Sequence, residues 1–291
     1  MSLSVRWFDS PDNPWGHDWL TTLIPGLTSA VDYHVASDMP EPVDGLVITQ
    51  TSSANKYINE LIKAEKNFGV ILLSDECLAE PMTYINSPYC KFVARNYFTP
   101  SQMHNRKVVT FGLGYKNGFS KHADPAKPAG DRKYTWSFAG SLKSNRDTGL
   151  ALLSEIPNHK VHLVDYFNSP DYISTAEYAQ LLSDSIFAPA PPGGASNDSF
   201  RIYEALEAGA IPITLRWAPP LAVEPTYWHA VFPGTGALPF ISAHTWEEAC
   251  NHVRSLLNSG ACETTRQNCL EFWAGWKQTW RMTFELLLDQ I

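Results

Sequence analysis

The feature that most constrains the fold of this chain is an alternation of short apolar runs with amphipathic helical patterns. GLVITQ (residues 45–50) and FGVILLSDE (68–76) predict two buried strands, and residues 52–67 between them predict a helix. A strand, a helix and a strand in this order predict a right-handed crossover and therefore a parallel sheet. Two further strands are predicted at 90–98 and 107–115.

Residues 116–133 interrupt this alternation. They are rich in Gly, Pro, Lys and Asp and show no periodicity, which predicts an inter-domain linker. The alternation then restarts, and two of its helix starts have capping-box spacing, Ser174 with Glu177 and Thr245 with Glu248. This second block predicts strands at 134–141, 160–167 and 211–215, a short strand in 185–194 that Pro189 ends, and helices at 145–155, 174–185 and 245–260.

Two consecutive α/β blocks predict an α/β protein with two Rossmann-like domains, whose parallel sheets face each other across a ligand cleft. The predicted boundaries are 1–118 for the N-terminal domain and 134–268 for the C-terminal domain. The Trp-rich end of the chain predicts a helix at 269–291 that crosses back and packs on the N-terminal domain.

Composition and charge exclude several classes of protein. The net charge is −8 and no strongly basic run occurs, which argues against nucleic-acid binding, since that binding depends on Lys and Arg at phosphates. Five cysteines without a CxxC pair argue against a zinc cluster or a disulfide framework. No signal peptide and no apolar stretch of the ~18 residues of a membrane span is found, so a cytoplasmic, soluble protein is expected.

The common nucleotide and hydrolase motifs are absent. The sequence has no GxxxxGK[ST], no GxSxG and no HExxH, and GLGYKNG (112–118) is not followed by a helical pattern, so it does not predict a dinucleotide site. It also has no Asp-x-Asp pair, the usual spacing for a metal that holds a nucleotide diphosphate. A phosphate would instead be neutralised by Arg, Lys, Ser or a helix N-terminus, without a metal.

One helix carries charged residues directly after a Gly-rich loop at a strand end, SNDSFRIYEALEAGAIPIT (196–214). Asp198 or Ser199 is predicted to cap this helix, which should run to about Ala208. The preceding loop contains Gly194 and other small residues, which let a ligand approach the backbone closely. The helix N-terminus offers N–H groups to an anion.

Two charged residues of this helix are candidates for ligand contact. Arg201 and Glu204 are three residues apart and share one face of the helix. An arginine there can bind a phosphate oxygen, and a glutamate can accept hydrogen bonds from a ribose diol. The alternative is a solvated surface ion pair, which also explains Glu207, a residue to which no role is assigned.

The segment DSFRIYEALEAGAIPI resembles the signature of the exostosin-type glycosyltransferases. The preceding YAQLLSDSIFAPAPPGG and the earlier FAGSLKSNRDTGL (138–150) resemble the neighbouring segments of that family's donor domain. In the first half, LLSDE, RNYF and GLGYKNGF resemble family segments in the same order. The resemblance covers roughly residues 68–215, and its second-half motif is the most specific part.

This resemblance implies a GT-B fold and an enzyme that transfers a sugar from a UDP-sugar with inversion and without a metal or other cofactor. Carried onto this chain, Arg201 contacts the diphosphate and Glu204 the ribose, and Gly140, Ser141 and Arg146 line the donor phosphates from the first βα turn. The expected acceptor is a hydroxyl of an oligosaccharide or glycoprotein glycan. Xylose is the expected sugar, because the chain most resembles the soluble xylosyltransferases of this kind found in large algal viruses.

Inversion requires a general base that deprotonates the acceptor hydroxyl. Asp75 and Glu76 stand at the carboxyl end of a predicted buried strand in the first half, and Asp75 is the first candidate. Asp38, Asp9 and His17 are further candidates on loops near other strand ends. The alternative for Asp75 is a capping role for the residues that follow it.

Other readings stay open at this point. A retaining transferase or a sugar phosphorylase on the same two-domain plan is one, and a non-catalytic protein that binds a nucleotide sugar or a carbohydrate is another. The tryptophans near the start, Trp7, Trp15 and Trp19, are candidates for a platform that stacks on an acceptor sugar, with core packing as the alternative.

Overall fold

The computed structural model describes residues 4–9, 12–98, 105–142, 146–166, 169–193, 196–216, 227–234 and 236–291. They form two compact units. Unit 1 comprises Met1–Leu113, Ala230–Phe232 and Lys277–Ile291, and unit 2 comprises Gly114–His229 and Pro233–Trp276.

Unit 1 contains a six-stranded sheet in which all paired strands are parallel, in the order β2-β1-β3-β4-β5-β6. The predicted parallel sheet is therefore confirmed. The first two strands were not predicted, because each has only four residues and β2 is largely half-buried, which leaves little apolar pattern. The elements of unit 1 before its last helix are β1 (Val5–Phe8), α1 (His17–Leu23), β2 (Val31–His34), β3 (Gly45–Gln50), α2 (Asn55–Lys63), β4 (Phe68–Leu73), β5 (Cys90–Arg95) and β6 (Val108–Thr110).

Helix α2 is shorter than predicted at both ends. The chain enters it through a 3-10 turn, Thr51–Ala54, and Glu65 just beyond its end has a φ of 54°, which a continuing helix does not allow. Its buried face carries Tyr57, Ile58 and Leu61 at helical spacing, and these residues join the core on one face of the sheet.

Unit 2 contains a five-stranded sheet in the order β11-β10-β9-β7-β8, and its paired strands are also parallel. Pro189 is the last residue of β9, as predicted. Both predicted caps are present, since Ser174 accepts from the backbone N–H of Glu177 and Thr245 from that of Glu248. The elements from β7 to the end of the chain are β7 (Tyr134–Ser141), α3 (Arg146–Leu153), β8 (His159–Val164), α4 (Thr175–Ser183), β9 (Ser185–Pro189), α5 (Phe200–Glu207), β10 (Ile211–Leu215), α6 (Tyr227–Val231), β11 (Ile241–Ala243), α7 (Trp246–Ser259) and α8 (Cys262–Leu288).

The stretch predicted as a linker, 116–133, is anchored within unit 2. The buried guanidinium of Arg132 donates to the carbonyl oxygens of Leu182, Ser185 and Ala208, at 3.2, 2.9 and 3.2 Å. Because these carbonyls lie at the ends of α4, β9 and α5, Arg132 ties the stretch to the same elements that carry the candidate site.

Helix α8 contributes residues to both units: its part up to Trp276 belongs to unit 2, and its part from Lys277 onward belongs to unit 1. Within unit 1, Trp280 and Phe284 pack on Phe111 with ring centroids 5.7 and 5.5 Å apart. Within unit 2, Trp273 donates its indole N–H to Glu207 at 2.5 Å. In the part of the chain that the structure describes, α8 included, no helix has the length and apolarity of a membrane span.

Most of the aromatic content packs inside the two units. Eight of the ten tryptophans are buried in the described part of the chain, so core packing accounts for most of this aromatic content. Of the three tryptophans considered as a stacking platform, Trp7 and Trp19 are buried and Trp15 is half-buried.

Candidate functional site

The candidate site lies in unit 2, at the carboxyl ends of the parallel strands. Ligands of open parallel sheets bind at this edge. Strand β7 ends there in Gly140 and Ser141, and β9 leads from there through a Pro-rich loop into α5, which presents Arg201. The sheet thus brings together residues that are about 60 positions apart in the sequence, as the contact between Arg201 and Ala139 shows.

Arg201 lies directly against the last residues of β7. Its Nη2 donates to the carbonyl oxygen of Ala139 at 3.1 Å, and its guanidinium carbon stands 5.2 Å from the centroid of the Phe138 ring. Gly140 has a φ of 149°, and a Cβ atom at this position would collide with Nη2 of Arg201. A glycine is therefore required for the close approach of the guanidinium.

Two hydrogen-bond donors at this edge have no protein acceptor among the described residues. The Nε of Arg201 and the hydroxyl of Ser199 are both buried and unpaired there. Buried donors without acceptors are costly and uncommon in folded proteins. A cationic N–H and a hydroxyl left unpaired at the carboxyl edge of a parallel sheet are suited to an anionic ligand.

Glu204 follows Arg201 by one turn of α5 and is buried. Its Oε1 accepts from the backbone N–H of Lys116 at 3.4 Å. Burial raises the pKa of Glu204 to about 7, although the charge of Arg201 and hydrogen bonds from Lys116 and Tyr178 act in the opposite direction. Near neutral pH this carboxyl group is therefore present both as the carboxylate, which accepts hydrogen bonds, and as the protonated acid, which can also donate one. Either form can bind a sugar hydroxyl.

We expect Glu204→Gln to remove a pH dependence of stability. Because the pKa of Glu204 is raised above its ordinary 4.5, the folded state binds the proton more tightly than the unfolded state. The free energy of unfolding of the wild type should fall as the pH rises from about 4.5 to about 7, by roughly 3 kcal/mol. The glutamine variant should lack this fall, which denaturant unfolding at pH 5 and pH 8 measures.

The control for this experiment is Glu271→Gln, on the exposed side of α8. Its stability should follow the wild-type curve with pH. If Glu204→Gln also follows the wild-type curve, the ionisation of Glu204 is not coupled to folding.

Arg146 connects the two loops at this edge. It is buried, and its Nη1 and Nη2 donate to the carbonyl oxygens of Ser141 and Pro192 at 3.0 and 2.9 Å. These bonds tie the start of α3 to the last residue of β7 and to the loop after β9. Direct contact of Arg146 and Ser141 with donor phosphates stays a prediction.

Asp198 has partners that the sequence analysis missed. Its Oδ2 accepts from the hydroxyls of Tyr203 and Tyr227, each at 2.9 Å. Ser199 occupies the N-cap position of α5 without a capping hydrogen bond from its side chain, and the helix ends at Glu207 with Ala208 as C-cap. No sequence pattern connects Asp198 with Tyr227, 29 residues away. Gly194, the remaining predicted donor residue, lies outside the described residues.

The predicted bases Asp75 and Glu76 lie in unit 1, just beyond the end of β4. Asp75 is buried, and its Oδ2 pairs with Nη2 of Arg95, also buried, at 2.9 Å. Its two oxygens also accept from the backbone N–H groups of Ala79 and Glu80, at 2.9 and 3.3 Å. These contacts favour the capping role for Asp75, whose function as general base stays a prediction, as does that of the half-buried Glu76.

We expect Asp75→Asn to destabilise the protein. The amide removes the negative charge that pairs with the buried guanidinium of Arg95, at a cost of about 3–5 kcal/mol in the free energy of unfolding. Denaturant unfolding measures this cost. An unchanged free energy of unfolding would show that the pair between Asp75 and Arg95 does not stabilise the fold.

Comparisons with known proteins place the fold. No protein-family profile matches the sequence, and no curated protein matches it significantly. Among solved structures, Anabaena HepE in complex with UDP-glucose matches with a TM-score of 0.61 and 11% identity, over 99% of this chain and 100% of that chain. An alpha1,3-fucosyltransferase matches with a TM-score of 0.50 and 15% identity, over 99% of this chain and 92% of that chain.

The fold is GT-B-like. Two parallel-sheet α/β units and the match to HepE over the whole chain confirm this part of the sequence prediction. A pneumococcal O-GlcNAc transferase, GtfA, matches at a TM-score of 0.48 and 11% identity, over 85% of this chain. This chain spans only 57% of the length of GtfA.

Proposed function

We propose that this protein is a glycosyltransferase that moves a sugar from a UDP-sugar to a hydroxyl group of a glycan acceptor. The observation that carries the proposal is the position of Arg201, whose guanidinium lies against Gly140 at the carboxyl end of β7 and whose Nε has no acceptor among the described residues. In a GT-B-like fold this edge is where a donor diphosphate would meet a fixed cation.

The residues of unit 2 match the chemistry of such a donor. Arg201 would neutralise the charge that develops on the diphosphate as the bond between the sugar and UDP breaks, which is where electrostatic stabilisation contributes most. The hydroxyl of Ser199 would donate to a phosphate oxygen. Glu204, one turn further along α5, would bind the ribose hydroxyls in either of its protonation states.

Two finer parts of the proposal come from the relatives and from the resemblance. HepE, which shares the fold, was crystallised with UDP-glucose and with UDP and glucose, and this supports a UDP-sugar as the donor. The resemblance of residues 68–215 to exostosin-type enzymes supports inversion, independence of metal and, as the first sugar to test, xylose.

The experiment is a thermal-shift and hydrolysis screen against UDP and against UDP-xylose, UDP-glucose, UDP-galactose and UDP-glucuronic acid, each with EDTA and with Mn²⁺. A ligand that binds only the folded state raises the Tm, so a shift with UDP and one UDP-sugar that EDTA leaves unchanged supports the proposal. The absence of any shift would refute donor binding. Binding without hydrolysis or transfer would instead support a non-catalytic nucleotide-sugar-binding protein.

The stereochemistry of the product separates the two catalytic readings. Proton NMR of the product formed first from a UDP-α-sugar would show the β-anomer for an inverting enzyme and the α-anomer for a retaining one. An α-product would overturn the inverting part of the proposal and leave the donor site unaffected.

A further inference from the structure

We propose that Tyr178, on α4, is a positioning residue of the donor site, whose hydroxyl holds the carboxyl group of Glu204 in the orientation that binds a ribose diol. This inference rests on the proposed function, in which Glu204 binds the ribose of the donor. Both residues belong to unit 2. Tyr178 would act through Glu204 and would keep its carboxyl group in place before the nucleotide arrives.

Two donors hold the carboxyl group of Glu204, which is 3% exposed. The hydroxyl of Tyr178 donates a hydrogen bond to it, and the backbone N–H of Lys116 donates to Oε1 at 3.4 Å. The second distance is longer than the ~3.2 Å that most N–H···O hydrogen bonds do not exceed, so Lys116 holds the carboxyl group only weakly. The orientation of the carboxyl group therefore depends mainly on the hydroxyl of Tyr178.

The ring of Tyr178 is itself held by the segment that carries the other donor. It packs against Phe119, with ring centroids 5.9 Å apart and an interplanar angle of 62°. Phe119 is buried, and its backbone N–H donates to the carbonyl oxygen of Lys116 at 3.0 Å, which closes a turn. The Gly-rich run that ends at Gly118 thus supports Glu204 in two ways, through the backbone of Lys116 and through the ring of Phe119.

The buried side chain of Arg132 fixes α4 and α5 relative to each other. Its guanidinium donates to the carbonyl oxygens of Leu182 and Ala208, each at 3.2 Å. Leu182 lies one turn after Tyr178 on α4, and Ala208 lies one turn after Glu204, at the C-cap of α5. The same side chain therefore keeps the hydroxyl and the carboxyl group at a constant separation.

The carboxyl group that is held in this way keeps acceptor capacity for a ligand. A carboxylate has two oxygens with about four acceptor positions, and Tyr178 and Lys116 use only part of this capacity. The remainder can accept from the two hydroxyls of a ribose, while Arg201, one turn earlier on the same face of α5, lies where the attached diphosphate would bind. A carboxyl group fixed before binding loses less conformational freedom when the ribose arrives, which increases the affinity.

The first test measures the ribose preference of Tyr178→Phe, a variant that keeps the ring against Phe119 and removes only the hydroxyl. Titration calorimetry at pH 8 gives the affinities for UDP and for 2′,3′-dideoxy-UDP, which lacks both ribose hydroxyls. The wild type should prefer UDP by roughly 10- to 100-fold. In the variant this preference should fall on the order of tenfold, while the affinity for dideoxy-UDP stays within about threefold of the wild type.

The second test needs no nucleotide. Burial raises the pKa of Glu204 to about 7, while the charges of Arg201 and Lys116, the backbone N–H of Lys116 and the hydroxyl of Tyr178 act in the opposite direction. Without that hydroxyl the pKa should rise further, so the folded state keeps the proton up to a higher pH. Denaturant unfolding between pH 5 and pH 9 should show that the fall in the free energy of unfolding extends roughly one pH unit higher than in the wild type.

Tyr166→Phe is the matched control, because Tyr166 is a 56% exposed tyrosine of the same unit. It should leave both readouts at the wild-type level. A Tyr178→Phe protein with the wild-type ribose preference, or one whose stability falls equally at every pH, would show that Tyr178 only packs, and the proposed function would stand.

The wild type alone separates the remaining outcomes. If it binds UDP and dideoxy-UDP equally well, the donor site stands, but Glu204 does not bind the ribose and the role of Tyr178 is refuted. If it binds neither nucleotide, the proposed function fails first, and the positioning role fails with it.

Discussion

Arg201→Ala should reduce the affinity for UDP by roughly 100- to 1,000-fold, as measured by titration calorimetry. The guanidinium supplies a fixed positive charge at the edge of the sheet, where its Nε is buried and meets no acceptor among the residues that the structure describes. A diphosphate bound there would gain charge-assisted hydrogen bonds that no neighbouring side chain replaces. The loss should therefore appear in the affinity for the nucleotide far more than in the stability of the protein.

The stability should change little, because within the described part of the chain Arg201 makes one hydrogen bond, from Nη2 to the carbonyl oxygen of Ala139 at 3.1 Å. Arg254→Ala is the matched control, since Arg254 is a 43% exposed arginine of the same unit paired with Glu155. It should leave the UDP affinity unchanged. An Arg201→Ala protein that binds UDP within about threefold of the wild type would refute the diphosphate role.

The prediction of the fold from the sequence was successful where strands and helices are buried on a regular period. The run 45–50 is almost wholly apolar, and the helix caps at Ser174 and Thr245 follow from residue type and spacing alone. Strands β1 and β2 were not predicted, because each has only four residues, some of them half-buried, and is too short to show a hydrophobic period. The stretch 116–133 was interpreted as a linker because the local composition of a segment does not reveal long-range contacts such as those of Arg132.

The candidate site was predicted only in part, for a related reason. Arg201 and Glu204 stand out because charges are unusual in a helix that follows a buried strand and a Gly-rich loop. Their partners come from distant segments, such as Lys116 for Glu204 and the turn at Gly140 for Arg201. Which residues the sheet edge brings together depends on strand order, and the order β11-β10-β9-β7-β8 is set by tertiary packing.

The second large effect is expected from a substitution at Gly140. Such a substitution tests how the position of Arg201 affects UDP binding, because it leaves the charge of Arg201 unchanged. We expect Gly140→Ala to reduce the UDP affinity on the order of 100-fold. The added Cβ meets Nη2 of Arg201, which lies at the end of a flexible side chain and can move away. The guanidinium should therefore be displaced from the turn, while the added backbone strain at a φ of 149° should cost only about 1–2 kcal/mol.

A double-mutant cycle tests this mechanism directly. If Gly140→Ala acts by displacing Arg201, then adding it to Arg201→Ala should cause almost no further loss of UDP affinity. Gly130→Ala is the matched control, because Gly130 lies in the same unit with no atom within 4 Å of an added Cβ. Losses that add in the double variant would instead mean that Gly140 contributes through its own backbone, as a direct approach to the diphosphate, and that the two residues bind it separately.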